Sequence, residues 1–459
     1  MKLLQRFDDW VNTLTNLNVK GKDKRVSAQA YANLIGEHEA EMIYGSDDIA
    51  AKVCDLIPEE MVREGFKLVV PDWDENKIRD MQEYLEFEMN WKPIFKQAMS
   101  WANLYGGAAI MLGIDDGSPK LDIPLNMENI RKFTYSSVLS RYELIFQTIN
   151  DQPDQKDCGL PSVYQMQPQY SQGGAPITFI HATRLIRFDG APLPRRLFID
   201  NGYWSDSVLS RMRTPLMNYG QTQDGIATLM QDFSQAVFKV RDLTRIMSSQ
   251  DGKSLLQQRL DMVDLCRSVI NATMIDSEEE FDRKTTSLTG VAEVMDRMEN
   301  RLVTASQMPH TVLLGKGPAG GIGEAGRAET RDFYDLVSRR QETVLKPALR
   351  QFIKLVFRNK SGPTAGVEPD KWDIKFNGLW QEPEGDIIER RLKQSAIDQT
   401  YITSQVLTPD EVARSRFGAG EYSHDTKLDF ERTVEQSSPT REEVAAKLPP
   451  ADRVPEVLQ

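Results

Sequence analysis

The sequence predicts an α+β fold, in which a mixed helix and strand region is followed by long helices. Apolar residues recur every three or four positions over several stretches, which is the period of an amphipathic helix. Between residues 121 and 202 the chain instead carries short apolar runs separated by turn residues, which is typical of strands. With 459 residues, 40% of them hydrophobic and 27% charged, the chain is long enough for two or more structural regions around a large core.

The first half of the chain is predicted to alternate helices with strands. Ile49, Val53 and Leu56 form a helical stripe, and Pro58 is predicted to open a turn. The later elements of this half are a strand at 65–70, a helix at 75–104, a buried strand at 108–113, strands at 177–180 and 184–188, and a helix near residue 216.

The second half is predicted to be mainly helical. In order it contains a helical stripe at 256–270, a polar segment at 271–290, a helix at 291–306, a glycine-dense loop at 308–326, a long helix at 327–358, a strand at 371–376 and two further helices. Pro347 removes a backbone donor from the long helix, so we expect a kink there. The last helix begins at a capping box, Thr408 to Glu411.

The glycine-dense loop is the most informative segment of the sequence. Two G-x-G-x-x-G spacings match a dinucleotide-binding fingerprint, but a helix precedes them where that motif needs a strand. No correctly spaced Gly-Lys-Ser or Gly-Lys-Thr makes it a Walker loop. We therefore predict a mobile or closely approached loop whose glycines avoid steric strain, with phosphate binding as the weaker alternative. Its selected residues are Gly315, Lys316, Gly317, Gly320, Gly321 and Gly323.

Composition limits the classes of protein to which the chain can belong. Its three cysteines are far apart, so we expect no disulfide framework. Neither a bilayer-spanning apolar run nor a signal-peptide core is present, which predicts a cytoplasmic protein without a membrane partner. The net charge of −12 opposes tight wrapping around nucleic acid, although an acidic protein can surround DNA loosely.

One acidic cluster in the polar segment 271–290 resembles a metal site only superficially. It lacks the alternation and the turn glycine of a calcium loop, so we expect no metal and no cofactor. A solvated acidic turn is the favoured interpretation. The cluster consists of Asp276, Glu278, Glu279, Glu280 and Asp282.

Several blocks between about residues 49 and 427 resemble the portal proteins of tailed bacteriophages. The resemblance is to the group whose N-terminal region is shared with anti-CBASS nuclease proteins. The first block is Val53-Cys-Asp-Leu-Ile-Pro-Glu-Glu-Met-Val-Arg-Glu-Gly-Phe66. The others are Ala102-Asn-Leu-Tyr-Gly-Gly-Ala-Ala-Ile-Met-Leu-Gly113, Ile180-His-Ala-Thr-Arg-Leu-Ile-Arg-Phe-Asp-Gly190, Met308-Pro-His-Thr-Val-Leu-Leu-Gly315 and Phe376-Asn-Gly-Leu-Trp-Gln-Glu-Pro-Glu-Gly385.

The resemblance implies a portal-like division of the chain. Its regions would be the N-terminal part of the wing (1–242), the stem helices (243–308) with a short clip (271–290), the tunnel loop (309–326), the kinked wing helix and wing strand (327–382), the helical crown (383–435) and a disordered tail (436–459). In this division the glycine-dense loop faces DNA, and Lys316 supplies a belt of positive charge around the ring axis. The acidic cluster of the clip would face docking partners.

The resemblance also implies a function and partners. Such a subunit would form a ring, typically a homododecamer, at one capsid vertex, where double-stranded DNA passes during genome packaging and ejection. Its partners would be the terminase large subunit, the head-tail adaptor, and the major capsid and scaffolding proteins. The expected location is the virion, after assembly in the host cytoplasm. ATP hydrolysis would belong to a partner, and the chain itself is predicted not to be an enzyme.

Two alternatives from other classes stay open. Anti-CBASS nucleases are phosphoesterases with two His-x-Thr pairs, and this chain contains His181-Ala-Thr183 and His424-Asp-Thr426. The first pair lies inside a portal-like block, and the second lies in a polar segment without a strand pattern. The other alternative is a capsid scaffold protein that forms no channel, which would also be acidic, helical and oligomeric.

Overall fold

The computed structural model describes residues 34–154, 157–167, 178–231, 234–239, 254, 258, 280–285, 290–315, 324–380 and 384–417. The chain divides into two compact units, residues 1–380 and 381–459. Helices and strands are mixed in the first unit, which confirms the predicted α+β class. The described part of the second unit is helical.

The helices of the first unit run, in chain order, α1 (Glu37–Ser46), α2 (Asp48–Arg63), α3 (Glu75–Glu83), α4 (Trp91–Tyr105), α5 (Arg195–Asp200), α6 (Leu209–Gln231), α7 (Val291–Ser306), α8 (His310–Leu314), α9 (Glu324–Arg340) and α10 (Lys346–Phe357). The second unit contains α11 (Glu384–Thr403) and α12 (Pro409–Phe417). Two π-helical segments follow α3 and α9 directly, at Tyr84–Glu88 and Gln341–Leu345.

The strands form small antiparallel sheets. In chain order they are β1 (Phe66–Val69), β2 (Gly107–Asp115), β3 (Lys132–Ser140), β4 (Leu144–Ile149), β5 (Pro161–Met166), β6 (Thr178–His181), β7 (Leu185–Asp189), β8 (Ser234–Lys239), β9 (Glu280–Thr285) and β10 (Asp373–Phe376). Their order within the sheets is β1-β10, β3-β2-β7, β4-β5-β6 and β8-β9. The β1-β10 pair connects residues near the start of the unit with residues near its end.

Strand β2 separates two hydrophobic cores. Alternate side chains of a strand point to opposite faces. Ala108, Ile110 and Leu112 accordingly join the larger core with the helices, whereas Ala109 and Met111 join a smaller core with β4, β5 and β6. This double burial explains why β2 appears in the sequence as a continuous apolar run instead of an alternating one.

Aromatic side chains hold α4 and α10 together in the larger core. The ring of Phe95 is fully buried and contacts Phe188 and Phe352 edge to face, with ring centroids 5.8 and 5.5 Å apart. Edge-to-face pairs of this kind stabilise a core beyond the area they bury, by about 0.5–1.5 kcal/mol each. Phe95 therefore joins a helix, a strand and the helix that follows the second π-helical segment.

The prediction that Pro58 opens a turn is wrong, because Pro58 lies inside α2. A proline in a helix cannot donate a hydrogen bond to the carbonyl four residues earlier, here that of Cys54. The side-chain amide of Asn103 donates to that carbonyl at 3.0 Å. The missing backbone bond is thus replaced from α4, and the helix continues to Arg63.

Three other expectations are also corrected. The predicted helix at 75–104 is interrupted by the first π-helical segment and by Asn90, whose φ of 46° is left-handed. The polar segment 271–290 contains strand β9, which pairs with β8. The predicted tunnel loop contains helix α8, and its following helix begins at Glu324. For β9 and α8, contacts with distant parts of the chain accompany the departure from the local pattern.

The second unit confirms the predicted capping box. The backbone N–H and hydroxyl of Thr408 both donate to Glu411 Oε2, at 2.8 and 2.9 Å. The N–H of Glu411 donates back to the hydroxyl of Thr408 at 3.3 Å, which completes the reciprocal pattern. Helix α12 also contributes Arg416, which binds Asp398 of α11 through two hydrogen bonds of 2.9 Å.

Candidate DNA-channel segment

The candidate site is the chain from α7 to α10, which carries the glycine-dense loop. Helix α7 packs against α6 and is followed by Gln307, which adopts a left-handed φ of 60°. The next residue, Met308, is 1% exposed, and its N–H donates to the hydroxyl of Ser306 at 3.2 Å. The chain therefore leaves the helix through a tightly held turn.

Helix α8 is held by contacts with other parts of the first unit. Leu313 is buried, and its carbonyl accepts a hydrogen bond from Lys52 Nζ at 3.1 Å. The backbone N–H of Thr311 donates to Glu329 Oε2 of α9 at 3.4 Å. The chain on either side of residues 316–323 is thus held together at its base.

His310 begins α8 and faces a buried acid. Its Nε2 lies 3.2 Å from Glu299 Oε2, and the Glu299 side chain is 2% exposed. A buried carboxylate requires a hydrogen-bond donor. The sequence analysis did not identify Glu299 as a functional or buried residue. The i, i+11 separation across a helix end gives no local signal for this pair.

The loop residues selected from the sequence are only partly described. Gly315 ends α8 with a φ of 69°, and an added Cβ there would meet no heavy atom within 4 Å. Its positive φ therefore explains the glycine, without any close approach. The remaining selected residues lie outside the described residues: Lys316, Gly317, Gly320, Gly321 and Gly323.

The long helix after the loop changes its winding before Pro347. The second π-helical segment ends at Leu345, and the N–H of Lys346 donates to Gln341 O. Gln341 is 1% exposed, and its side-chain amide donates to Met61 O of α2 at 2.7 Å. Proline cannot supply the next backbone donor, and a π segment accommodates such a gap. The angle of the kink predicted at Pro347 stays a prediction.

The acidic cluster of the predicted clip is only partly described by the structure. Glu280 and Asp282 lie in β9, in register with Lys239 and Val237 of β8. They therefore belong to a strand and not to the solvated turn that was expected. Asp276, Glu278 and Glu279 lie outside the described residues.

The first His-x-Thr pair is built into a turn. The backbone N–H of Thr183 donates to His181 Nδ1 at 3.2 Å, and the Thr183 hydroxyl lies 3.0 Å from the same nitrogen. That hydroxyl also accepts from the backbone N–H of Leu125 at 2.8 Å. Burial, with the nearby charge of Arg184, lowers the pKa of His181. His424 and Thr426 lie outside the described residues.

Beside this pair lies a buried ion pair that sequence reasoning missed. Arg184 Nη2 is 2.8 Å from Asp116 Oδ2, and the two side chains are 1% and 2% exposed. Burial by itself raises the pKa of Asp116, but hydrogen bonds from Asn126 and Ser118 and the charge of Arg184 together lower it. The sequence indicated this pair only indirectly, since Arg184 lies in one of the portal-like blocks and Asp116 lies in the turn after β2.

The described residues show no membrane-spanning helix and no metal site. Within them, no helix combines the length and the apolar character required to cross a bilayer. The same residues contain no cluster of three or more His, Cys, Asp or Glu side chains placed to hold a metal ion.

Comparison with known sequences establishes the family. The profile of the family described as phage portal protein matches residues 38–400. This match covers most of the chain and includes α1 to α10 and most of α11. The chain belongs to the phage portal protein family.

Individual relatives carry two kinds of name. The anti-CBASS protein Acb1 of Caulobacter sp. (strain RHG1) is 28% identical over 382 residues, which cover 81% of this chain and 59% of the relative. The protein of the same name from Sphingomonas paeninsulae is 27% identical over 378 residues, or 80% and 58% of the two chains. An uncharacterized Haemophilus influenzae protein is 22% identical, with 86% of each chain covered. The chain thus spans about three-fifths of the length of the two Acb1 relatives.

Two of the solved structures that match the chain are from a gene transfer agent particle and a phage portal protein. The virion of a native gene transfer agent particle gives a TM-score of 0.48 at 13% identity, covering 85% of this chain and 97% of the other. A portal protein of the HK97 phage family from Corynebacterium diphtheriae gives a TM-score of 0.34 at 10% identity, covering 75% and 97%.

The relatives overturn one expectation. The chain was predicted not to be an enzyme, and this prediction is wrong because the two curated relatives are named anti-CBASS protein Acb1. That name belongs to the group that sequence reasoning associated with phosphoesterases. An enzymatic function is therefore a candidate that needs its own test.

Proposed function

We propose that the chain is a portal subunit that assembles with copies of itself into a ring, typically a dodecamer, around a channel for double-stranded DNA. The match of residues 38–400 to the portal family is the observation that carries this proposal. In a closed ring every loop residue is repeated once in each subunit around the axis. A charged side chain therefore forms a belt of equal charges.

The attachment of the glycine-dense loop supports its assignment as the tunnel loop. Lys52, Thr311 and Glu329 fix the chain on both sides of residues 316–323. A segment with a fixed base and several glycines can change conformation without disturbing the helices around it. In the proposed ring, Lys316 faces the phosphates of the DNA and the loops adjust as the duplex moves.

The other regions of the chain have matching roles in this proposal. The wing (1–242), the stem (243–308) with its clip (271–290), the tunnel loop (309–326), the wing helix and strand (327–382), the crown (383–435) and the tail (436–459) follow the portal order. The clip acids, including Glu280 and Asp282 on β9, would face the terminase large subunit and the head-tail adaptor. Capsid and scaffolding proteins would surround the wing in the virion.

The direct test is electron microscopy of the purified protein in negative stain, at low and high protein concentration. Closed rings with a central hole wide enough for duplex DNA are the expected result. Open arcs or filaments at every concentration would contradict the channel and favour a scaffold protein. A monomer that closes into rings only with capsid and scaffolding proteins would support the proposal and make assembly dependent on those partners.

A second candidate function is hydrolysis of cyclic oligonucleotides. The two Acb1 relatives, which share 28% and 27% identity with this chain, favour it. In such an activity His181 and His424 would handle protons, and Thr183 and Thr426 would orient the phosphate. The N–H of Leu125 uses only a lone pair of the Thr183 oxygen, so the O–H, which lies 3.0 Å from His181 Nδ1, would have to turn from that nitrogen to the phosphate.

This candidate is tested by incubating the purified chain with cyclic oligonucleotides and separating the products. Cleavage that His181→Ala or His424→Ala abolishes, and that His38→Ala leaves unchanged, would establish the activity. Absence of cleavage at every pH from 6 to 8 would remove this candidate for the chain.

A further inference from the structure

A cavity of about 380 Å³ lies where α2, α4, the end of α7 and the second π-helical segment meet. Most of its wall is apolar and includes Ile57, Met99 and Phe188. Val344 also lines it and is 40% exposed. An apolar cavity with an exposed valine at its wall favours a large hydrophobic side chain as its occupant.

Two arginines give the cavity a positive charge. Burial lowers the pKa of Arg340, and the described residues provide no hydrogen bond or ion pair for its guanidinium. Arg211 donates one hydrogen bond, to Pro192 O at 3.3 Å. Asp189 also lines the cavity, but Arg187 already binds its carboxylate at 2.7 Å. A half-buried guanidinium without an acid beside it favours an anionic partner.

The N-terminal segment of the chain has the matching chemistry. Asp8 and Asp9 supply two adjacent carboxylates, with Phe7 before them and Trp10 after them. Apolar residues continue through this segment at the spacing of one helix face. They are Leu3, Leu4, Phe7, Trp10, Val11, Leu14 and Leu17.

The described chain begins beside the cavity. Ile35 is 2% exposed, and its N–H donates to the hydroxyl of Ser210 at 3.4 Å. Ser210 directly precedes Arg211 of the cavity wall. Between Trp10 and Ile35 the chain spans about 38 Å even if it is wholly helical, so its length does not limit the contact.

We propose that this cavity is the docking site for residues 3–17 of the same chain, with Trp10 in the apolar wall and Asp8 and Asp9 beside Arg211 and Arg340. The docked segment joins α2, α4, α7 and the π-helical segment through one contact. The proposal is independent of ring formation and of any catalytic activity.

Cross-linking in the full-length protein tests the docking. Thr13→Cys, one helical turn after Trp10, is combined with Thr343→Cys at the cavity wall, in a chain with Cys158→Ser and Cys266→Ser. Cys54 is retained because it is fully buried and burial raises the pKa of its thiol. The matched control joins Thr13→Cys to Ser338→Cys, an exposed position on the preceding turn of the same long helix.

A short bis-maleimide is expected to join positions 13 and 343 within one chain, in much higher yield than positions 13 and 338. Equal yields, or a product that joins two chains, would overturn the proposal. Adding Trp10→Ala or Arg340→Glu should abolish the preferred cross-link, and a full yield in both variants would also overturn it.

Discussion

At the scale of single residues, the Asp116–Arg184 pair connects the turn after β2 to the start of β7. Asp116 accepts hydrogen bonds from the backbone N–H groups of Ser118 and Asn126 at 3.1 and 2.9 Å. Arg184 Nε also donates to Ile123 O at 3.3 Å. One buried charge pair thereby organises a turn that has little apolar surface of its own.

Replacing Asp116 by Asn should destabilise the protein strongly. Arg184 would be left buried without an opposite charge, which costs about 3–5 kcal/mol of unfolding free energy. Urea unfolding followed by circular dichroism measures the change. The double variant Asp116→Asn with Arg184→Met should recover most of the loss, since no buried charge remains unpaired. Equal stability of the wild-type protein and Asp116→Asn would contradict this account.

The Asp116–Arg184 pair also predicts the direction in which the stability of the protein changes with pH. Because the pKa of Asp116 is lower in the folded than in the unfolded protein, its contribution is fully present above the unfolded value, about 3.9. It is lost as the pH falls through the folded pKa. Asp116→Asn should therefore have a shallower loss of stability below about pH 4 than the wild-type protein.

Glycines in two of the portal-like blocks allow backbones to approach closely. A Cβ added at Gly190 would lie 2.5 Å from both Ala102 O and Asp206 O, and one added at Gly106 would lie 2.5 Å from Ser205 O. Gly106 also has a φ of 87°. At these two glycines α4, β2 and β7 meet with no room for a side chain.

Gly190→Ala is expected to destabilise the protein by about 3 kcal/mol, because the clashing atoms belong to backbone that cannot rotate away. Gly220→Ala is the matched control, since Gly220 lies inside α6 and an added Cβ there meets no atom within 4 Å. It should stabilise the helix by up to about 1 kcal/mol. Thermal unfolding of both variants tests the contrast, and equal shifts would contradict it.

At the scale of elements, side chains from two other helical segments donate hydrogen bonds to carbonyls of α2. Asn103 replaces the donor that Pro58 removes from α2, and Gln341 of the second π-helical segment binds Met61 O of the same helix. α2 is therefore joined to α4 and to the long helix through polar bonds inside an apolar core. The carbonyl at each position would otherwise be buried without its partner.

Gln341→Leu should destabilise the protein by about 1–3 kcal/mol, because Met61 O would lose its buried donor. Ser338→Ala, three residues earlier and exposed, should change the unfolding free energy by less than about 0.5 kcal/mol. Urea unfolding compares the two variants. A change at Gln341 as small as that at Ser338 would mean that the carbonyl finds another donor.

At the scale of the whole molecule, charge and symmetry act together in the proposed channel. If the chain forms such a ring, its net charge of −12 would oppose tight binding of duplex DNA, so passage along the axis would meet few fixed phosphate contacts. A single belt of Lys316 would then be the main point of attraction. Its effect grows with the number of subunits in the ring.

Lys316→Glu should leave rings intact in electron micrographs and should reduce the amount of DNA packaged or retained in particles. The reversed belt would repel phosphates at the place where the loops meet the duplex. Lys371→Glu, an equal change of charge at an exposed residue before β10, is the control and should package normally. Normal packaging by Lys316→Glu would remove the reason for placing the loop against DNA.

Much of the local structure could be predicted from the sequence. The bounds of α7 agree with the predicted helix 291–306, and the capping box at Thr408 is present as expected. The buried strand at 108–113 lies within β2. These features depend on side chains within one or two turns of each other, so a local pattern is sufficient to specify them.

The sequence by itself determined the α+β class, the amphipathic helices and the resemblance to portal proteins. Only the tertiary structure decided that Pro58 continues a helix, that β8 pairs with β9, and that the buried Arg184 and Glu299 each have a charged or polar partner. Strand pairing and buried polar contacts depend on residues that are far apart in the chain. The free energy of each such contact depends on its burial and on the partners that folding brings together. The local spacing of apolar residues therefore cannot predict it.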